Sequence, residues 1–108
     1  MNANEVVIAG ARRTPMGAFQ GSLSSQSAVA LGVSAVKGAV ADAGVAPEAI
    51  GEILMGCVLP AGLKQAPARQ AMRQAELPDS CGATTINKVC GSGMKATMIA
   101  TDLIRAGS

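Results

Sequence analysis

The side chains best suited to covalent chemistry in this sequence are three cysteines, at positions 57, 81 and 90. Their settings differ. Cys90 ends a strand-like run, Ala83-Thr84-Thr85-Ile86-Asn87-Lys88-Val89, and opens a helix-like run from Gly91 to Arg105. The junction is Gly91-Ser92-Gly93. This pattern predicts a thiol in the first turn of a helix, where unpaired N–H groups and the positive end of the helix dipole favour an anionic sulfur. Sulfur attacks as the thiolate. Gly91 and Gly93 permit a tight turn and keep side chains out of the path of an incoming electrophile. Cys90 is therefore the candidate nucleophile. Cys57, inside an apolar run, and Cys81, in a turn, have no helix start beside them and read as structural.

Other residues near Cys90 admit two readings. Lys88 stands two positions earlier, on the same strand face if the strand stays regular, where its charge would favour a thiolate. A solvated lysine at a strand end is the plainer account, and Lys95 follows on the helix. Arg12, Arg13 and Arg69 occupy loop or helix-start positions that suit an anionic ligand, although exposed arginines are the rule. Gly91-x-Gly93-x-x-Ala96 also fits a dinucleotide-binding turn, after a strand and opening a helix. That turn usually belongs to a first βαβ unit and here falls in the third. Its ribose-binding acid, expected about 20 residues later, would fall beyond position 108.

The sequence has no histidine, so the commonest general base is missing from these 108 residues. Nine basic and seven acidic residues are scattered, without the basic stripe and interleaved aromatics of a nucleic-acid interface. No apolar run reaches the roughly 20 residues that span a bilayer. The N-terminus lacks the organisation of a secretory signal or transit peptide. The cysteine spacings fit no zinc site, and free thiols suit a reducing compartment, which leads to an expected cytoplasmic location. Hydrophobic residues make up 49%, ample for a core, yet Phe19 is the sole aromatic. A self-sufficient domain generally uses several aromatics, so a part of a larger protein is expected.

The elements that must position Cys90 follow from periodicity. Glu5–Ala11 holds the β-branched run Val6-Val7-Ile8, which suits a strand covered on both faces. Residues 12–25 read as a loop. Ser27–Ala43 reads as a helix with Val29, Val33, Val36 and Val40 on one stripe and Gly44 just past its end. Ile53–Leu59 forms a second buried strand. Pro67 takes the first position of a helix whose apolar face is Ala68, Ala71, Met72 and Ala75, ending near Leu77-Pro78. The third strand and the Cys90 helix complete a β-α-β-α-β-α order, hence an α/β fold with a mostly parallel sheet. The last helix carries apolar residues around most of its circumference, as in a helix buried between layers. An open-edged three-stranded parallel sheet would be an unusual finished fold.

Three segments resemble the thiolase family, in particular its acetyl-CoA acetyltransferase branch. They are Val6 to Gly17, Gly62 to Ala71, and Thr85-Ile86-Asn87-Lys88-Val89-Cys90-Gly91-Ser92-Gly93-Met94-Lys95-Ala96. The resemblance runs along essentially the whole sequence and is most specific in the third segment. It implies that residues 1–108 are part of a thiolase-like N-terminal domain, with further strands, coenzyme A loops and a C-terminal domain outside them. It implies an acyl-thioester on Cys90, with the Cys90 N–H as an oxyanion donor, and coenzyme A thioesters as substrates with no permanently bound cofactor. Acetyl-CoA and acetoacetyl-CoA are the implied partners, with a longer-chain 3-ketoacyl-CoA thiolase as the alternative. A second catalytic cysteine and histidines belong to later parts of the family sequence, so this chain alone is expected to be inactive. The resemblance also implies a homodimer or homotetramer, with the third strand, Thr84 to Lys88, at a subunit contact.

Overall fold

The computed structural model describes residues 5–108 and contains three α-helices, two strands and one short 3-10 turn. The order is α1 (Ala28–Ala43), the 3-10 turn Pro47–Ala49, β1 (Glu52–Gly56), α2 (Pro67–Gln74), β2 (Gly82–Ile86) and α3 (Ser92–Ala106). β1 and β2 pair in parallel, from Glu52 opposite Gly82 to Gly56 opposite Ile86. The α/β class and the parallel sheet agree with expectation. Both strands end earlier than the runs Ile53–Leu59 and Ala83–Val89 suggest, because Val58 and Leu59 turn out into solvent, as does Val89.

Strand alternation divides the molecule into layers. Ile53, Met55 and Ala83 point to one side and pack with α1 and α2, around Met72, Ala75, Leu77 and Cys81. Met72 is wholly buried at the centre of that cluster. The valine stripe of α1 supplies Val33, Val36 and Val40 to the same core, and Val29 is buried near its start. α3 lies against the other side of β1 and β2.

The ends of the helices follow local chemistry. Ser27 caps α1 by accepting the Ala30 N–H at 3.0 Å, and Gly44 closes it in the left-handed region (φ +68°). α2 has Pro67 at its first turn but no side chain of its own as a cap. Thr85 Oγ1 from β2 accepts the Ala68 N–H at 3.1 Å, so a spare donor of α2 is satisfied by the sheet beneath it. α2 ends in a Schellman turn, in which Glu76 N–H donates to Arg73 C=O and Leu77 N–H to Met72 C=O. Glu76 takes the left-handed position that usually belongs to glycine. The turn folds Leu77 back into the core, where it is buried.

Two expectations change. Glu5–Ala11 forms no ladder among the described residues, and Val7 and Ile8 are exposed. An extended run becomes a strand only when a neighbouring backbone offers its N–H and C=O groups. Here the end of the run lies against α1, with Gly10 so close to Ala39 C=O that an added Cβ would stand 2.6 Å from the oxygen. Ala11 N–H donates to Asp42 Oδ2 at 3.1 Å, and Arg12 pairs with Asp42 at 2.8 Å. The second change concerns α3, which is covered on one side only. Ser92 and Ala96 are buried, whereas Met94, Met98 and Ile104 are exposed. Both changes leave apolar surface open on this chain.

Candidate functional site

The carboxyl ends of the two strands define the site. Cys57 N–H, just past β1, still donates to Ile86 C=O at 2.9 Å, after which both chains leave the sheet. From there Asn87 takes over the connection: its Nδ2 donates to Val58 C=O at 3.2 Å, tying the loop after β1 to the loop after β2. Its Oδ1 accepts the Val89 N–H at 2.9 Å. Val89 has φ +48°, a left-handed conformation that is an outlier for a β-branched residue. That residue reverses the chain and presents Cys90, which is exposed, ahead of α3.

Ser92 locks the turn from the helix side. Its hydroxyl accepts the Lys88 N–H at 2.8 Å and donates to Val89 C=O at 2.6 Å. It is the buried polar side chain of the site, at 3% exposure, with both hydrogen-bonding roles filled. Gly91 N–H donates to Lys88 C=O and Ser92 N–H to Val89 C=O, completing a tight backbone knot. α3 then begins at Ser92, with Gly91 as its cap and no side-chain cap of its own. Cys90 is thus immediately before the helix cap and not in the first helical turn. Among the described residues its own N–H makes no hydrogen bond.

The glycines of the junction are used differently from their sequence reading. The positive φ of the turn falls on Val89, while Gly91 has φ −90° and Gly93 lies within α3. An added Cβ on Gly93 would meet nothing within 4 Å, so its surroundings are open. The glycine that the site requires most stringently is Gly56, at the end of β1. A Cβ there would lie 2.7 Å from the Ser92 carbonyl carbon and 2.8 Å from Gly93 N. The absence of a side chain at position 56 lets the start of α3 settle directly on the sheet. Sequence reasoning missed Gly56, Asn87 and Ser92. The local cue for Asn87 and Ser92 was their type, since Asn and Ser readily hydrogen-bond nearby backbone at turns.

The remaining candidates separate cleanly. Lys88 lies beyond the last strand residue, so strand alternation no longer relates it to Cys90. Arg12 is engaged by Asp42, Arg13 turns its guanidinium onto Thr14 C=O, and Arg69 stands in the first turns of α2 and is exposed. Cys57 is half-buried and Cys81 is buried. Burial, and secondarily the Glu52 carboxylate, push the Cys81 thiol above its ordinary value of 9.0, so it remains protonated at neutral pH. Among the described residues no cluster of three or more His, Cys, Asp or Glu could hold a metal, and no helix is long and apolar enough to cross a membrane.

With this geometry in view, the comparisons with known proteins agree with one another. The family model described as "Thiolase, N-terminal domain" matches residues 6–108. The mitochondrial acetyl-CoA acetyltransferase of Danio rerio is 55% identical over 104 residues, 96% of this chain and 25% of that protein. The acetyl-CoA acetyltransferase of Allochromatium vinosum is 51% identical over 107 residues, covering 99% of this chain and 27% of the relative. Among solved structures, the Acat5 thiolase from Ascaris suum in complex with coenzyme A superimposes with a TM-score of 0.91 at 43% identity, over 93% of this chain and 26% of that one. The chain spans about a quarter of the length of the curated relatives it matches. These likenesses do not favour a dinucleotide-binding module. They also correct the expected cytoplasmic location, because the Danio rerio relative and other vertebrate relatives are named as mitochondrial. Free thiols require only a reducing compartment, and that criterion does not single out the cytosol. Matched from residue 6 to residue 108, the chain belongs to the thiolase family.

Proposed function

We propose that this chain supplies the acyl-accepting part of an acetyl-CoA C-acetyltransferase, with Cys90 as nucleophile. The thiolate of Cys90 attacks the carbonyl carbon of acetyl-CoA, the tetrahedral oxyanion collapses, and coenzyme A leaves as its thiolate. The acetyl group is then held as a thioester on Cys90. A second acetyl-CoA, deprotonated at its methyl carbon, attacks that thioester to form acetoacetyl-CoA and return the Cys90 thiolate. Thiolysis is the same path reversed. Sulfur suits both steps because it is a good nucleophile and a good leaving group. The unpartnered Cys90 N–H is available as one oxyanion donor.

One observation carries the reading: the exposed Cys90 stands at the carboxyl end of a strand, held ahead of α3 by a strained turn, in a chain matched along its length by thiolases. Ligand chemistry in open α/β sheets concentrates at such strand ends. The proton transfers are assigned to further polypeptide, since this chain contains no histidine. The chain by itself is accordingly inactive in this proposal. The exposed Met94, Met98 and Ile104 of α3 are then surfaces that such polypeptide covers. A homodimer or homotetramer is part of the same proposal, with β2 pairing with its counterpart. Its edge away from β1 carries no strand among the described residues.

The test is acid quenching of the thiolase polypeptide that carries this sequence after mixing with acetyl-CoA, followed by peptide mapping. Acetyl on the Cys90 peptide is expected. Acetyl elsewhere, or none, rejects the assignment.

A further inference from the structure

We propose that Asn87 is a positioning residue for Cys90, acting through the backbone of Val89; this rests on the acyl-transfer reading above. A β-branched residue in the left-handed region is strained by roughly 1–3 kcal/mol and persists only where its surroundings over-determine it. Val89 is such a residue, with φ +48°. The peptide groups on its two sides are each held by a different side chain. Ser92 takes the carboxyl side, through its hydroxyl bond to Val89 C=O at 2.6 Å. Asn87 takes the amino side, accepting the Val89 N–H at 2.9 Å.

Asn87 does more than complete a local turn. The same amide donates through Nδ2 to Val58 C=O at 3.2 Å, across 29 positions of sequence. The direction in which Cys90 is presented is therefore referenced to the loop leaving β1. Release of the Val89 N–H lets φ relax to negative values, and every atom beyond Val89 is re-aimed, including the Cys90 sulfur and its free N–H. Asn87 is exposed, so its replacement opens no cavity and leaves the core of Ile53, Met72 and Leu77 intact.

The experiment uses the thiolase polypeptide that carries this sequence. Asn87→Ala is expected to lower the single-turnover rate of Cys90 acetylation by acetyl-CoA roughly tenfold or more, since small misplacements of reacting groups have effects of that size. KM for acetyl-CoA should change less than about twofold, marking a loss confined to the reacting centre. Asn87→Ser, which keeps an acceptor for the N–H two residues on, should recover most of the rate. Adding Val89→Gly to Asn87→Ala should also recover it, because glycine occupies positive φ without strain. An Asn87→Ala protein that only melts earlier, with a wild-type acetylation rate per folded molecule, overturns the proposal. A crystal structure of Asn87→Ala decides independently of turnover. Loss of the left-handed Val89 is expected, and its retention with Cys90 in place overturns the proposal. Failure of the wild-type protein to acetylate Cys90 would instead reject the acyl-transfer reading, leaving the crystal structure to judge the positioning role.

Discussion

Cys81 stands one residue before β2 and is 3% exposed, whereas Cys90 stands four residues beyond that strand and is exposed. The two thiols are separated by a single strand and meet opposite physics. Cys81 packs with Ile53, Met72, Ala75 and Leu77, and its thiol donates to Gly82 C=O at 3.4 Å. The Glu52 carboxylate lies over the neighbouring Gly82 and adds its repulsion to the desolvation of the thiol. Cys90 is held outside the core by hydrogen bonds to its neighbours, none of which uses its sulfur. The proposed chemistry thereby falls past the end of the strand, and packing falls where the strand begins. A free cysteine is inert or reactive by its environment and not by its type.

The largest expected effect comes from changing the exposed thiol. Cys90→Ser should reduce turnover of the thiolase polypeptide on the order of a thousandfold or more. Its stability should stay within about 0.5 kcal/mol, as for other exposed substitutions. Steady-state kinetics and thermal melts of the same preparation read both quantities, and near-wild-type turnover would remove Cys90 from the mechanism.

Blurring the comparison from the buried side comes next. Met72→Ala, at a wholly buried position touching the Cys81 cluster, should destabilise the fold by about 2–5 kcal/mol. Timed iodoacetamide labelling should then find Cys81 reactive in the variant and protected in the parent, with Cys90 labelled in both. Gly56→Ala acts on the other end, wedging a methyl group against Ser92 and the start of α3. Overpacking of this kind should reduce stability by about 1–3 kcal/mol, measured by denaturant titration.

The smallest effect concerns pH. Because the folded Cys81 thiol holds its proton above the ordinary value of 9.0, the unfolded chain ionises first as pH rises. The unfolded state then binds fewer protons than the folded state, so stability is full below about pH 9 and declines above it. Cys81→Ala should flatten that alkaline decline, and an unchanged slope in denaturant titrations at increasing pH would reject the assignment of the shift to Cys81.

Much of the scaffold was legible in one dimension. The boundaries of α1 agree within a residue, because the valine stripe, Ser27 and Gly44 all act locally. Pro67 and the Ala68-Ala71-Met72-Ala75 face likewise announced α2. The Glu5–Ala11 run was legible only as extended chain, since pairing depends on a neighbouring backbone that sequence pattern does not locate. The two-sided burial expected of α3 failed for the same reason, as exposure depends on which surfaces lie alongside.

Sequence by itself determined the alternation from α1 onward, the Ser27 and Gly44 ends of α1 and the strand-to-helix junction around Cys90, because periodicity and capping operate within a few residues of chain. Tertiary structure alone decided that Val89 and not a glycine makes the left-handed turn, that Asn87 reaches Val58, and that Gly56 must lack a side chain. The last two are distances between segments remote in sequence, and the first is a dihedral held by the side chains of Asn87 and Ser92. They arise only when two parallel strands end side by side with a helix seated across them.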